Sequence, residues 1–272
     1  MNRERFEIKF WGVRGSCPAP GRDTVYFGGN TPCVQVKFKN QLLIFDAGTG
    51  LRNLGNKLDE EERNITANIF LTHTHWDHIQ GFPFFKPFYR SGNKFKIFGL
   101  KSIKKSLISQ MNKSFFPFQF EKLQSTIEFA YLQEKEKVSL DDEITVKSMR
   151  TNHLGGNLAY RIEAFDKSCC YLTDIEHNEK DSQKIIDFVS NSDVVIYDAM
   201  YTSEEYKNYK KGWGHSTWEA GVELIKDASA DTLILFHHAP SRNDKQLVEI
   251  EKKAQSKYQN TMVAREGMII SL

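Results

Sequence analysis

The stretch that decides the fold is Asn68-Ile69-Phe70-Leu71-Thr72-His73-Thr74-His75-Trp76-Asp77-His78. Its first half is an apolar run of strand character, and its second half packs three of the chain's eight histidines and an aspartate into six residues. Along a strand end, side chains two positions apart point the same way, so His73 and His75 can converge on one cation. A turn after them carries Asp77 and His78 round to a second position. Neutral imidazole and carboxylate are the ligands of zinc and similar divalent ions. One ion leaves some of these groups unused, whereas two ions about 3.5–4 Å apart with a bridging hydroxide engage them all.

Outward from this stretch, strands and helices interleave in two similar halves. Residues 6–13, 33–38 and 42–48 read as strands, a short helix follows at 51–58, and the chain enters 68–78. The second half offers strands at 144–150, 158–163, 169–173 and 193–197, with helices near 181–190, 216–228 and 244–257. Residues 230–238 are a buried strand that also ends in histidines, His237 and His238, and a terminal strand pair closes the chain. Two sheets packed face to face with helices outside suit this order. The expected organisation is one domain over 1–272 with an aromatic-rich insertion at about 79–130, where FPFFKPFY and FFPFQF flank a basic helix candidate at 101–111. Those rings either wall a pocket or fill a core or a dimer interface.

The 272 residues are 40% hydrophobic and 12% aromatic, a globular profile that excludes disorder. A net charge of +2 argues against a broad basic footprint for nucleic acid. No apolar run is long enough to span a bilayer, and the N-terminus opens without a signal-peptide pattern. Four cysteines without a CxxC pair fit a reducing compartment, so the expected location is cytoplasmic, with no membrane partner.

His-Thr-His-Trp-Asp-His resembles the HxHxDH signature of the metallo-β-lactamase fold superfamily. FDAGTG at 45–50, His153 before GGNLAYRIE, YLTD ending at Asp174, and LFHH at His237 and His238 follow in the family's order. The resemblance implies an α+β fold, the four-layer αββα sandwich. It also implies that His73, His75 and His153 hold one metal, Asp77, His78 and His237 the other, and that Asp174 bridges them. Zinc is the first expectation for the two divalent ions, with manganese or iron as alternatives. Ordinary roles stand beside several assignments: His153 as a turn residue, Asp174 as a cap, Asp46 as a turn cap rather than an orienting partner of a ligand histidine. His238 is adjacent to His237 and points the other way, and His177 matches no motif.

Gly214-His215-Ser216-Thr217-Trp218-Glu219 resembles the HST motif of the tRNA 3′-processing ribonuclease branch and its phosphodiesterase relatives. The likeness implies that His215 approaches the scissile phosphate and that Asp198, in VVIYDAMYT, orients it. Ser216-x-x-Glu219 also reads as a capping box opening the 216–228 helix, and Asp198 as a buried strand-end carboxylate. The catalytic set is therefore Asp77, His215 and Asp198, acting with a metal-bridging hydroxide in line on phosphorus. Only EAFDKSCC separates the strand after His153 from YLTD, which leaves no room for the extended arm that grips tRNA. GVRGSCPAPG, GGNTPC and DAGTGLRNLG are similar to small bacterial phosphodiesterase-type members. The leading expectation is hydrolysis of a 3′,5′-cyclic nucleotide, a small phosphodiester partner. A tRNA 3′-processing-type endoribonuclease, or a thioester or lactone hydrolase of the same fold, is the alternative. A homodimer is consistent with the family. Arg14 either clamps a phosphate or faces solvent.

Overall fold

The computed structural model describes residues 6–140, 143–177 and 181–272. The first sheet takes β1 (Phe6–Gly12), β2 (Cys33–Phe38), β3 (Gln41–Phe45), β4 (Thr66–Phe70), β5 (Lys94–Gly99) and β6 (Thr126–Tyr131). The second takes β7 (Lys137–Ser139), β8 (Ile144–Thr151), β9 (Asn157–Ala164), β10 (Lys167–Leu172), β11 (Val194–Asp198), β12 (Thr232–Phe236) and β13 (Thr261–Val263). Then β14 (Ile269–Ser271) returns to the first sheet and pairs antiparallel with β1. The strand orders are 14-1-2-3-4-5-6 and 13-12-11-10-9-8-7. Each sheet is antiparallel in one half and parallel in the other, with β3 to β6 and β10 to β13 forming the parallel runs. The two terminal strands expected to pair with each other lie instead on different sheets, and the chain end thereby ties the two halves together.

Three apolar layers hold this arrangement. The central one lies between the sheets, and it forms because alternate residues of each strand face it: Phe6, Ile8 and Phe10 of β1 and Val34, Val36 and Phe38 of β2 meet Leu158, Tyr160 and Ile162 of β9. The helix α1 (Gly50–Asp59) buries Leu51, Leu54 and Leu58, one stripe at helical spacing, against the outer face of the first sheet. The four-residue α2 (Trp76–Ile79) follows the histidine-rich stretch, and α3 (Ile103–Gln110) covers the same face with Ile103 and Leu107. On the outer face of the second sheet lie α4 (Ser182–Val189), α6 (Trp218–Asp227) and α7 (Asp244–Lys257), with the three-residue α5 (Ser203–Glu205) leading into the loop before α6. This is the αββα sandwich.

The aromatic segment supplies β5, α3 and β6, and its rings Phe82, Phe85 and Phe88 are fully buried under α1. They fill a core and do not wall a pocket. Among the described residues, no helix is long and apolar enough to cross a membrane.

A ladder of rings crosses the parallel strands of the first sheet. Phe70 stacks on Phe45 with centroids 5.2 Å apart and on Phe98 at 4.6 Å, and it meets the edge of Tyr160 from the opposite sheet at 5.4 Å. Phe70→Ala removes the middle of the ladder and is expected to destabilise the fold by about 3–5 kcal/mol. Chemical denaturation reads this directly; a loss under about 1 kcal/mol contradicts the packing role.

Candidate metal centre

The site lies where the parallel strands of both sheets end, the usual ligand-binding edge of parallel sheets. Asp46 directly follows β3, His73 lies three residues past β4, and His153 lies two past β8. Asp174 lies two past β10, Asp198 is the last residue of β11, and His237 directly follows β12. Asp46, Asp174 and His237 all adopt left-handed backbone, with φ of 60°, 54° and 60°. Such conformations cost non-glycine residues free energy and persist where surroundings enforce them. Here they turn each side chain off its strand end into the seam between the sheets.

The carboxylate of Asp174 divides its two oxygens. Oδ1 faces His73 Nε2 at 3.8 Å and His153 Nε2 at 3.6 Å, while Oδ2 faces His78 Nε2 at 3.0 Å and His237 Nε2 at 3.3 Å. On the first side, His75 Nδ1 lies 3.1 Å from His153 Nε2, and His73, His75, His153 and Asp174 all offer donor atoms within 4.8 Å of one another. On the second side, Asp77 Oδ2 lies 3.3 Å from His78 Nε2 and 3.2 Å from His237 Nε2, and Asp77, His78 and His237 form a second such group. The structure thus brings all seven expected ligand residues to one place.

Their surroundings fit cations. His73 Nε2 is buried and has no hydrogen-bond partner, an orphan that costs free energy unless something else occupies its lone pair. The Nε2 atoms of His78 and His237 lie 3.2 Å apart. Burial holds His73 and His153 below the ordinary histidine range, keeping them neutral, the ligand form. Burial opposes charge on His78, but Asp174, Asp77 and Asp46 outweigh it and raise its pKa well above the usual value. Burial likewise opposes ionisation of Asp77 and Asp174, yet the surrounding imidazoles pull both well below the carboxylate range. Buried anions and crowded nitrogens of this mixed character are a nitrogen–oxygen donor set for divalent ions.

A second ring of contacts fixes the ligands. Asp46 Oδ2 accepts from His78 Nδ1 at 2.8 Å and from Tyr171 Oη at 2.9 Å, and its Oδ1 accepts from the Thr72 amide at 2.8 Å. That leaves His78 Nε2 as the nitrogen turned to the centre, an orienting arrangement rather than a turn cap. The backbone amide of Ser16, in the loop after β1, donates to Asp77 Oδ2 at 2.8 Å. His153 Nδ1 donates to the carbonyl of Gly214 at 2.8 Å.

His215 stands beside the centre, joined through Nδ1 to Asp198 Oδ2 at 2.9 Å. Asp198 also accepts from the Asp174 amide at 3.0 Å and the Met200 amide at 3.1 Å, so it is anchored from both sides. His75 is exposed and His215 partly so, and the site opens to solvent on this side.

Two other expectations are corrected, those for Arg14 and for the cap of α6. Arg14 is fully buried and neither clamps a ligand nor faces solvent: its Nε donates to the Gly28 carbonyl at 2.8 Å and its Nη1 to the Arg242 carbonyl at 2.6 Å, pinning three loops together. No capping box opens α6. The cap is Thr217, which accepts from the Ala220 amide at 3.1 Å, whereas Ser216 Oγ bonds Tyr197 Oη and Glu219 accepts from the Ser203 amide. His238 is buried away from the centre and donates to the Ala264 carbonyl at 2.8 Å; burial pushes its pKa down to about 3. His177 bonds Tyr197 Oη and Ser182 Oγ.

Sequence reasoning missed Glu176. Its carboxylate accepts from Tyr206 Oη at 2.7 Å, the Gly212 amide at 2.6 Å and the Gly214 amide at 3.0 Å. It therefore holds the loop that carries His215 and the Gly214 carbonyl that orients His153. The available signal is an acid two residues past Asp174 with a Gly-Trp-Gly run before His215, but its partners lie far along the chain.

Comparison with known proteins follows the same lines. The family model described as the beta-lactamase superfamily domain matches residues 42–238. A protein of Archaeoglobus fulgidus named Ribonuclease Z is 23% identical, covering 98% of this chain and 98% of its own. Among solved structures, the metallo-beta-lactamase fold protein YhfI of Bacillus subtilis superposes with a TM-score of 0.76 at 17% identity, over 99% of this chain and all of that one. The short form of human tRNase Z gives 0.68 at 19% identity, over 97% and 98%. The chain belongs to the beta-lactamase superfamily, as a metal-dependent hydrolase of that fold.

Proposed function

We propose that the protein hydrolyses a phosphodiester bond, with an RNA phosphodiester of the tRNA 3′-processing kind as its substrate. The observation that carries the reaction type is the His215–Asp198 pair, held at 2.9 Å beside the centre on its open side. Near-full-length likeness to proteins named Ribonuclease Z from Archaeoglobus fulgidus and Picrophilus torridus supports RNA over the cyclic nucleotide favoured by the sequence alone.

In this reading His73, His75 and His153 would hold one divalent cation, Asp77, His78 and His237 would hold a second, and Asp174 would serve both. Two such cations supply an activated water near neutral pH and offset charge on the phosphoryl oxygens. Asp198 fixes His215 with Nδ1 turned inward, so its Nε2 is the atom that meets the substrate. The charged ring donates that proton to the departing oxygen as the P–O bond breaks, and Asp198 stabilises the charge beforehand.

One observation favours a smaller substrate as the second reading. Only Phe165 and Asp166 join β9 to β10, so no arm extends there. The alignment to the archaeal protein runs over 313 positions and takes in 98% of the 272 residues here, leaving about 46 positions without a counterpart. A 3′,5′-cyclic nucleotide needs no arm.

Three outcomes test this. Purified protein loaded with zinc or manganese is expected to trim a precursor tRNA transcript carrying a 3′ trailer; hydrolysis of cyclic mononucleotides with no cleavage of the transcript selects the second reading. His215→Ala is expected to keep its metal and lose about 10²- to 10⁴-fold in kcat, whereas Asp77→Ala loses metal as well. Metal analysis beside turnover checks the split, and equal residual activity in the two variants contradicts it.

The third concerns pH. In the metal-free protein burial opposes the charged form of His215, but Asp198, Asp174 and Asp77 outweigh it and push its pKa up to about 9. A folded pKa above the unfolded value of about 6.5 means stabilisation that is full below pH of about 6.5 and lost as pH rises through about 9. NMR titration of the metal-free protein is expected to show the ring titrating in the upper range, and Asp198→Asn to lower its midpoint. A wild-type midpoint at or below the ordinary histidine value contradicts the pairing.

A further inference from the structure

The loop between α5 and α6 is built with unusual care for a surface segment. Glu176 grips it at Tyr206, Gly212 and Gly214, and the Gly214 carbonyl accepts from His153. Gly214 has a φ of 80°, and a Cβ there would fall 2.4 Å from His153 Nδ1, so only glycine permits this approach. The residue between the two clamped glycines is Trp213, which is 56% exposed. Trp213 is thus held by its backbone on both sides while more than half of it stays open to water.

A cation is set against one face of the indole. Lys210 Nζ lies 3.8 Å from the Trp213 ring centroid and 5.7 Å from that of Tyr201, and Tyr201 in turn meets the His215 ring at 5.9 Å. Lys210 therefore bridges the indole and the phenol bordering the proposed proton donor. Among the described residues it has no carboxylate partner. Tyr209 is 78% exposed beside it, and Lys207 and Lys211 are exposed on the same turn. Between this loop and His153 lies a cavity of about 450 Å³ bordered by Leu154, Tyr206 and Lys211.

We infer that Trp213 and Lys210 form a nucleotide subsite beside the reaction centre, the indole stacking a base and the ammonium holding the phosphate next to the scissile one. This rests on the phosphodiesterase reading above and names what the substrate carries next to the broken bond. Aromatic stacking is indifferent to base identity because every base offers a π-face, and a neighbouring lysine adds attraction for the backbone. An ammonium without a carboxylate partner, set against a largely exposed indole, matches a nucleoside phosphate better than an apolar partner, which would have to desolvate the charge.

The test compares two esters with the same leaving group. Thymidine 5′-(p-nitrophenyl phosphate) carries a base, and methyl p-nitrophenyl phosphate does not. For Trp213→Ala the ratio of kcat/KM between the two is expected to fall about tenfold to a hundredfold, the range of one stacked base, mainly through KM. Lys210→Ala is expected to lower kcat/KM on a single-stranded oligoribonucleotide and to flatten its salt dependence, with Lys210→Arg restoring both. An unchanged ester ratio in Trp213→Ala overturns the subsite. So does gel filtration showing that Trp213→Ala dissociates a dimer while the ratio holds, which makes the loop a subunit interface. Wild-type protein that cleaves the thymidine ester but no RNA overturns the RNA substrate instead, and the ester ratio still decides the subsite.

Discussion

Asp174 is a carboxylate with almost no access to water, placed where the two sheets meet and surrounded by imidazole nitrogens. Burying such an anion is costly unless positive charge meets it on every side. The rest of the molecule is arranged around that requirement. Both sheets end their parallel strands at the same seam, three residues there accept left-handed backbone, and a fully buried aspartate, Asp46, holds the His78 ring in the orientation that faces Asp174. In the absence of cations protons must do this work, which is why His78 and His215 are held charged while both Asp77 and Asp174 are strongly acidic.

The apolar architecture serves the same end. Tyr160 and Tyr171 belong to the central layer through their rings, but their hydroxyls reach upward, to the Leu71 carbonyl and to Asp46. Packing between the sheets thus sets the height and tilt of the polar groups at their edge. On the open side control passes from strands to a loop. Glu176 ties the segment before α6 to the turn after β10 and so links the elements carrying Asp174, His153 and His215. The centre is buried at Asp174 and open to solvent at His75.

Much of this was legible in the sequence because it depends on local periodicity. Strand character marked β1 and β2, a short helix was readable at 51–58, and the His73–His78 cluster at a strand end marked the site. The resemblance carried His215 and Asp198. What stayed hidden depends on tertiary contact. β5 and β6 are short and embedded among phenylalanines that pack under α1, so their strand character competes with a core signal. The destination of β14 is set by pairing with β1 at the far end of the chain. Arg14 reads as a surface cation because nothing local shows the carbonyls of Gly28, Ala239 and Arg242 that enclose it. Glu176 is one acid among thirty-five acidic residues until its three donors, 30 to 38 positions on, are folded onto it. Thr217 takes the cap from Ser216 because Tyr197 has already engaged the serine hydroxyl.

The central claim is that one carboxylate serves two cations. Anomalous diffraction from a crystal grown with zinc measures this most directly. The account predicts two peaks about 3.5–4 Å apart, one on the His73–His75–His153 side and one on the Asp77–His78–His237 side, with Asp174 between them. A single peak, or peaks that leave Asp174 without a cation, contradicts it.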